Sequence, residues 1–213
     1  MTEYFEVLDR DGPARAGELR LAEPRATPAL VGDVLADAGS LWAADREVPS
    51  GAPEQLTVLP HRAFPSGTPA DLQEAMAVPA PEIDGPSAAV LTRETVADLG
   101  TDAYVLAASG PLVGHARAFV ETLLSVREAI PDDAALAVSG VATPANVGLL
   151  AYAGVDLVED HRAALAGTRG RYLDSTGETF LEDREELPCA CAACRQPREA
   201  FTREDCAEHN VAA

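Results

Sequence analysis

Short apolar runs recur along this chain: LTVLP from Leu56, AAVLT at Ala88–Thr92, AYVLAAS at Ala103–Ser109, ALAVSG at Ala135–Gly140 and VDLVED at Val155–Asp160. Brief runs that are apolar without alternation suit parallel strands covered on both faces. Helix signals lie between them. Thr68-Pro69-Ala70-Asp71 offers an N-cap, a proline at the first helical position and an acid in the first turn, ahead of LQEAM. Arg117 to Ile130 places Phe119, Val120, Leu123 and Leu124 on one face, and Thr143-Pro144-Ala145-Asn146 opens VGLLAYA, which Gly154 closes. Two segments keep a different rhythm: FEVLDRDGPARAGELRL alternates about Asp11-Gly12-Pro13, and RYLDSTGETFLE about Ser175-Thr176-Gly177, so both predict β-hairpins. Gly39 to Pro53 reads as a loop.

Strand and helix in alternation imply right-handed βαβ units, hence an α/β fold built as a βα barrel or as an open doubly wound sheet. A full eight-fold barrel takes about 250 residues, whereas the rhythmic region here runs only from Thr27 to Leu165 of 213 residues. A barrel would therefore be abbreviated. The expected organisation is 1–165 as the βα region and 166–213 as a hairpin with a second, smaller unit.

That second unit holds all four cysteines. Cys189, Cys191 and Cys194 read C-x-C-x-x-C, a spacing from which thiolates converge out of a tight knuckle, and Thr202-Arg203-Glu204-Asp205 resembles a capping box. Cys206 and His209 then sit three apart on one helix face. Either completes a tetrahedral zinc site, with His209 favoured and Cys206 the alternative, and a closed site of this kind is structural.

Composition narrows the setting. Thirty-five acids against sixteen basic residues, every one of them arginine, give a formal charge of -19. Such a surface suits a proteome adapted to high intracellular salt, where screening relieves self-repulsion. Any nucleic-acid contact must then rest on arginines grouped locally and on non-ionic contacts, and Arg162, Arg169 and Arg171 form the compact basic run. No run of eighteen apolar residues and no basic-then-apolar leader is present, so a soluble, cytoplasmic chain without membrane contact is expected.

The stretch from Ala108 through GVDLVED, RYLDSTGETFLEDREELPCACAAC and EHN resembles the C-terminal part of the catalytic barrel of tRNA-guanine transglycosylases, above all the archaeal ones. The opening FEVLDRDGPARAGELRL and TPALV are similar to that family's N-terminal hairpin and the strand after it. The resemblance implies an abbreviated TIM-like (β/α) barrel of the transglycosylase type, with a C-terminal zinc-binding subdomain and tRNA as partner. It also implies a tRNA-modifying transferase whose aspartate nucleophile falls in the GVD segment, where Glu159 stands here, followed by Asp160 and His161. Alternation points Asp160 to the other side of that strand. The family's second acidic loop is matched only by Phe64-Pro65-Ser66-Gly67-Thr68, with proline where the acid belongs. The base-cradling turns fall at Ser109-Gly110 and Ser139-Gly140.

An altered nucleophile and a missing second acid are features of the archaeosine (7-deazaguanine) branch of the family. There the conversion chemistry lies in a further C-terminal half. Two readings follow: a tRNA-modification domain of that pathway, or a non-catalytic tRNA-binding or assembly module for a partner enzyme. Candidate protein partners are a separate C-terminal half, another pathway enzyme, and a second copy of the chain docked through the zinc subdomain.

Overall fold

The computed structural model describes residues 3–32, 35–36, 55–59, 68–75, 83–92, 99–107 and 114–213. Phe5–Asp11 (β1) and Ala14–Leu19 (β2) form the predicted antiparallel hairpin, and Arg25–Thr27 (β3) adds to the β2 edge. A second ladder is wholly parallel. It contains Ala29–Leu30 (β4), Leu35–Ala36 (β5), Leu56–Val58 (β6), Ser87–Leu91 (β7), Ala103–Leu106 (β8), Ala135–Val138 (β9) and Leu157–Val158 (β10), in the order β4-β10-β9-β8-β7-β6-β5.

The edge strands of that ladder are chain neighbours. A flat sheet of seven strands would be about 29 Å across, yet the chain from Leu30 to Leu35 can reach at most about 18 Å. The sheet must therefore curl, as a half-barrel does, although no ladder joins β4 to β5 among the described residues. Pleat alternation sorts its side chains. Ala88, Val90, Ala103, Val105, Ala135, Ala137 and Leu157 face Phe5, Leu19 and Leu21 of the N-terminal segment. Ala89, Leu91, Tyr104, Leu106, Leu136 and Val138 face the other way, onto Phe119, Leu123 and Val126 of the helix Ala116–Ala129 (α2; α1 is Ala70–Ala75). The face against the hairpin is rich in alanine, leaving room for the larger Phe5 and leucines.

Val147–Tyr152 (α3) connects β9 to β10, and Gly154 at φ +87 ends it where a Cβ would press on the Pro13 carbonyl at 2.6 Å. Beyond β10, His161–Thr168 (α4) leads into the second predicted hairpin, Arg171–Asp174 (β11) with Gly177–Phe180 (β12). The final helix Arg203–Ala212 (α5) begins with the expected capping box: Thr202 accepts from the Asp205 N–H and Asp205 from the Thr202 N–H. α5 lies on α4 so closely that a Cβ on Gly167 would fall 2.3 Å from the Ala207 Cα, so glycine is required there. No helix among the described residues is long and apolar enough to cross a membrane. The loop read at Gly39–Pro53 lies outside the described residues, as do Phe64–Gly67 and the Ser109-Gly110 turn.

Candidate metal centre and carboxylate at the sheet edge

Parallel register builds the first site. Val138 of β9 pairs with Val158 of β10, so the residues that follow each strand, Ser139-Gly140 and Glu159, emerge side by side at the C-terminal edge of the sheet. Glu159 Oε2 accepts from Ser139 Oγ at 2.5 Å and from the Gly140 N–H at 2.9 Å, and Oε1 meets His161 Nδ1. Burial works to raise this carboxyl, but the Ser139 hydroxyl, His161 and the Gly140 N–H outweigh it and hold Glu159 below the usual carboxylate range. The carboxylate is thus ionised and its oxygens are engaged by the chain's own donors. Asp160 departs from the expectation of strand alternation: it is the N-cap residue of α4, because the strand stops at Val158. A cavity of about 180 Å³ adjoins this edge, lined by Leu30, Pro144, Val147, Glu159, Asn210 and Val211.

A second polar cluster lies at the opposite end of the same strand. Asp156, fully buried, accepts from Arg15 Nε at 2.8 Å and from the Leu136 N–H at 2.7 Å, and Arg15 also donates to the carbonyls of Asp132 and Ala134. Arg127 reaches the same Ala134 carbonyl at 2.9 Å, and burial, then the nearby Arg15, lowers its guanidinium to about 10. Sequence reading passed over this network. The signal for it was an acid inside the apolar run VDLV, since a buried carboxylate without a cation would be prohibitively costly.

The third site gathers Cys189, Cys191, Cys194 and His209, whose ligand atoms all lie within 4.8 Å of one another. The knuckle is visible in the backbone, where the Cys191 N–H points at Cys189 Sγ at 3.4 Å. His209 Nε2 lies 2.9 Å from the Leu173 carbonyl, which can only accept. The proton therefore sits on Nε2, and the Nδ1 lone pair is left facing Cys191 Sγ at 3.5 Å. Burial lowers the imidazole, keeping it neutral. Burial and the neighbouring thiols push Cys194 up to about 12, so a cation entering this group must release a proton.

Three thiols and one oriented imidazole fit a metal ion in a tetrahedron. Cys206 does not belong to the group. Its Sγ is directed to the Arg171 carbonyl at 3.5 Å, and burial raises the thiol to about 11.

Around the centre, the Tyr172 ring stacks on His209 at 4.0 Å and meets Arg184 at 4.2 Å, and its hydroxyl lies 3.6 Å from Cys194 Sγ. Asn210 ties the unit to the sheet region: its side chain accepts from the Leu173 N–H and donates to the carbonyls of Ala163 and Arg171. Neither Tyr172 nor Asn210 was singled out from sequence, since both depend on which elements pack together.

Arg162, Arg169 and Arg171 do come together. With Gly140, His161 and Leu165 they line an open cleft of about 450 Å³.

The family model for queuine tRNA-ribosyltransferase matches residues 83–212, which contain both the Glu159 edge and the Cys3His group, and the chain belongs to that family. Within it, the chain is 57% identical over 99% of its length to archaeosine synthase of Haloferax volcanii, and 36% identical over 91% to archaeosine synthase subunit alpha of Methanosarcina acetivorans. A tRNA-guanine(15) transglycosylase of Methanococcus aeolicus is 29% identical over 54% of the chain. The chain spans about a third of the two archaeosine relatives, 36% and 35% of their lengths, and 20% of the transglycosylase.

Proposed function

We propose that this chain is the transglycosylase-like part of an archaeosine-synthase-type protein: it binds tRNA in the 7-deazaguanine pathway but does not itself exchange the base. The observation that carries this reading is the state of Glu159. A nucleophile must approach the anomeric carbon with a free oxygen, whereas both oxygens of Glu159 are engaged by Ser139, Gly140 and His161. Relative to an aspartate, the extra methylene also displaces the carboxylate by about an ångström, an error that can cost ~100-fold in rate. Residues 1–165 form an abbreviated TIM-like barrel in this reading, and 166–213 a zinc subdomain in which Cys189, Cys191, Cys194 and His209 hold one structural Zn2+. The base turn uses Ser139-Gly140 with Ser109-Gly110, and Arg162, Arg169 and Arg171 meet the tRNA backbone. The acidic surface suits a salt-rich cytoplasm.

The test is incubation of the purified chain with archaeal tRNA and radiolabelled guanine in high salt. No incorporation above background is expected, with tRNA binding retained. Robust incorporation that Glu159→Ala abolishes would overturn the reading.

A second reading, a non-catalytic tRNA-binding or assembly module, is favoured by one fact: the archaeosine relatives are almost three times as long. Supplying the remaining part of such a relative as a separate polypeptide separates the two. Conversion of the tRNA base that requires both pieces and the Ser139-Gly140 turn supports a working pocket, and conversion indifferent to that turn supports the module.

A further inference from the structure

Among the described residues, most surface arginines are matched to acids, among them Arg10 to Asp132, Arg20 to Glu6, Arg117 to Glu121 and Arg184 to Asp174. Arg162 and Arg169 are not. Neither guanidinium takes part in an ion pair or hydrogen bond among the described residues, on a chain of net charge -19. They stand seven residues apart along α4 and its C-cap, and both line the 450 Å³ cleft.

The wall facing them is the β11–β12 hairpin. Arg171 lies opposite Phe180 in the ladder, and Glu178 is two residues from Phe180, so all three share one face. The Arg171 guanidinium sits 3.8 Å over the Phe180 ring, and Glu178 fixes it from the side at 2.9 Å. Phe180 is nevertheless 44% exposed. The result is a phenyl ring and a guanidinium plane, held in place beside two cations without partners.

We propose that this cleft is a subsite for one unpaired nucleotide of an RNA strand, with the base stacked on the Arg171 guanidinium, which Phe180 backs, and its flanking phosphates on Arg162 and Arg169. The inference rests on the tRNA reading above and adds that the RNA arrives with a base outside any helix. A duplex offers phosphates but no free base face, whereas an unpaired base of any identity can stack on an aromatic ring or a guanidinium plane. High salt strengthens the case for stacking, since phosphate contacts weaken with every counterion they must displace and stacking does not.

The experiment is fluorescence anisotropy of the full, metal-loaded chain with a labelled short oligoadenylate, an RNA duplex of equal length and whole tRNA, at low and at molar potassium chloride. Phe180→Ala should weaken oligoadenylate binding roughly 5- to 100-fold at both salt levels, and Phe180→Trp should restore it. Arg162→Ala combined with Arg169→Ala should weaken binding strongly at low salt and little at molar salt. An unchanged metal content in Phe180→Ala shows that the hairpin still folds. Tight tRNA binding with oligoadenylate affinity indifferent to Phe180→Ala overturns this subsite and leaves the tRNA reading standing. Failure of the unmodified chain to bind tRNA or oligoadenylate overturns both.

Discussion

The sheet region closes its buried charge within itself, whereas the C-terminal unit does not. Asp156 is met by Arg15 and by backbone, Arg127 by three carbonyls, and the cluster is sealed between two apolar layers. In the C-terminal unit the buried cluster is small, Tyr172, Leu181, Cys194, Phe201 and Cys206, with Leu173 buried beside it. Beside it, three thiols crowd one another and an imidazole lone pair faces them. A core of that size offsets little of the entropy of ordering the hairpin, the short helical turns and the loops between them. One region thus folds by burying apolar faces around a satisfied ion pair; the other has a donor set that could hold a metal ion.

The largest effect that could break this contrast is removal of the metal proposed for the Cys3His group. Structural zinc in small domains is worth about 10–16 kcal/mol of apparent binding free energy, so chelation, or Cys191→Ser, should unfold the segment after Gly170 while the sheet persists. Elemental analysis paired with limited proteolysis reads this, and a metal-depleted chain that stays protease-resistant beyond Gly170 would erase the distinction.

Next in size is the ion pair. Asp156→Ala leaves the Arg15 charge buried and alone, at a cost of about 3–5 kcal/mol; denaturant unfolding should register it with metal content unchanged. Replacing both partners, Arg15→Met with Asp156→Leu, should cost much less.

Gly167→Ala tests the seam between the regions. Overpacking against Ala207 should destabilise by about 1–3 kcal/mol, seen as a lower melting temperature with the metal still bound.

The smallest effect is acid sensitivity. Glu159 is held below its ordinary value, so its contribution is complete above the usual carboxylate range and is lost as pH falls through the lowered value. Glu159→Gln should flatten that part of the stability curve, while acid release of the metal, driven by protonation of the thiolates, stays as it was.

Much of this was legible before any coordinates. Continuous apolar runs gave parallel strands, turn residues between short strand-like segments gave both hairpins, and the C-x-C-x-x-C spacing gave the knuckle, because each is a local signal. What stayed hidden depends on register and partners. Ser139 and Glu159 are twenty residues apart and meet only because β9 and β10 are adjacent and aligned at Val138 and Val158. The helix face offers both His209, the favoured ligand, and Cys206, the alternative; only packing shows that His209 gathers with the three knuckle cysteines while Cys206 turns to the Arg171 carbonyl. Asp160 was misread because an acid after a strand looks the same whether the strand continues or a helix begins.

The pairing of Ala29 with Leu157 has a consequence for how the molecule is made. A ribosome delivers β4 long before β10 exists, so the nascent N-terminal third must wait with one edge unpaired until most of the chain has emerged. Contacts this distant in sequence slow folding and prolong exposure to aggregation.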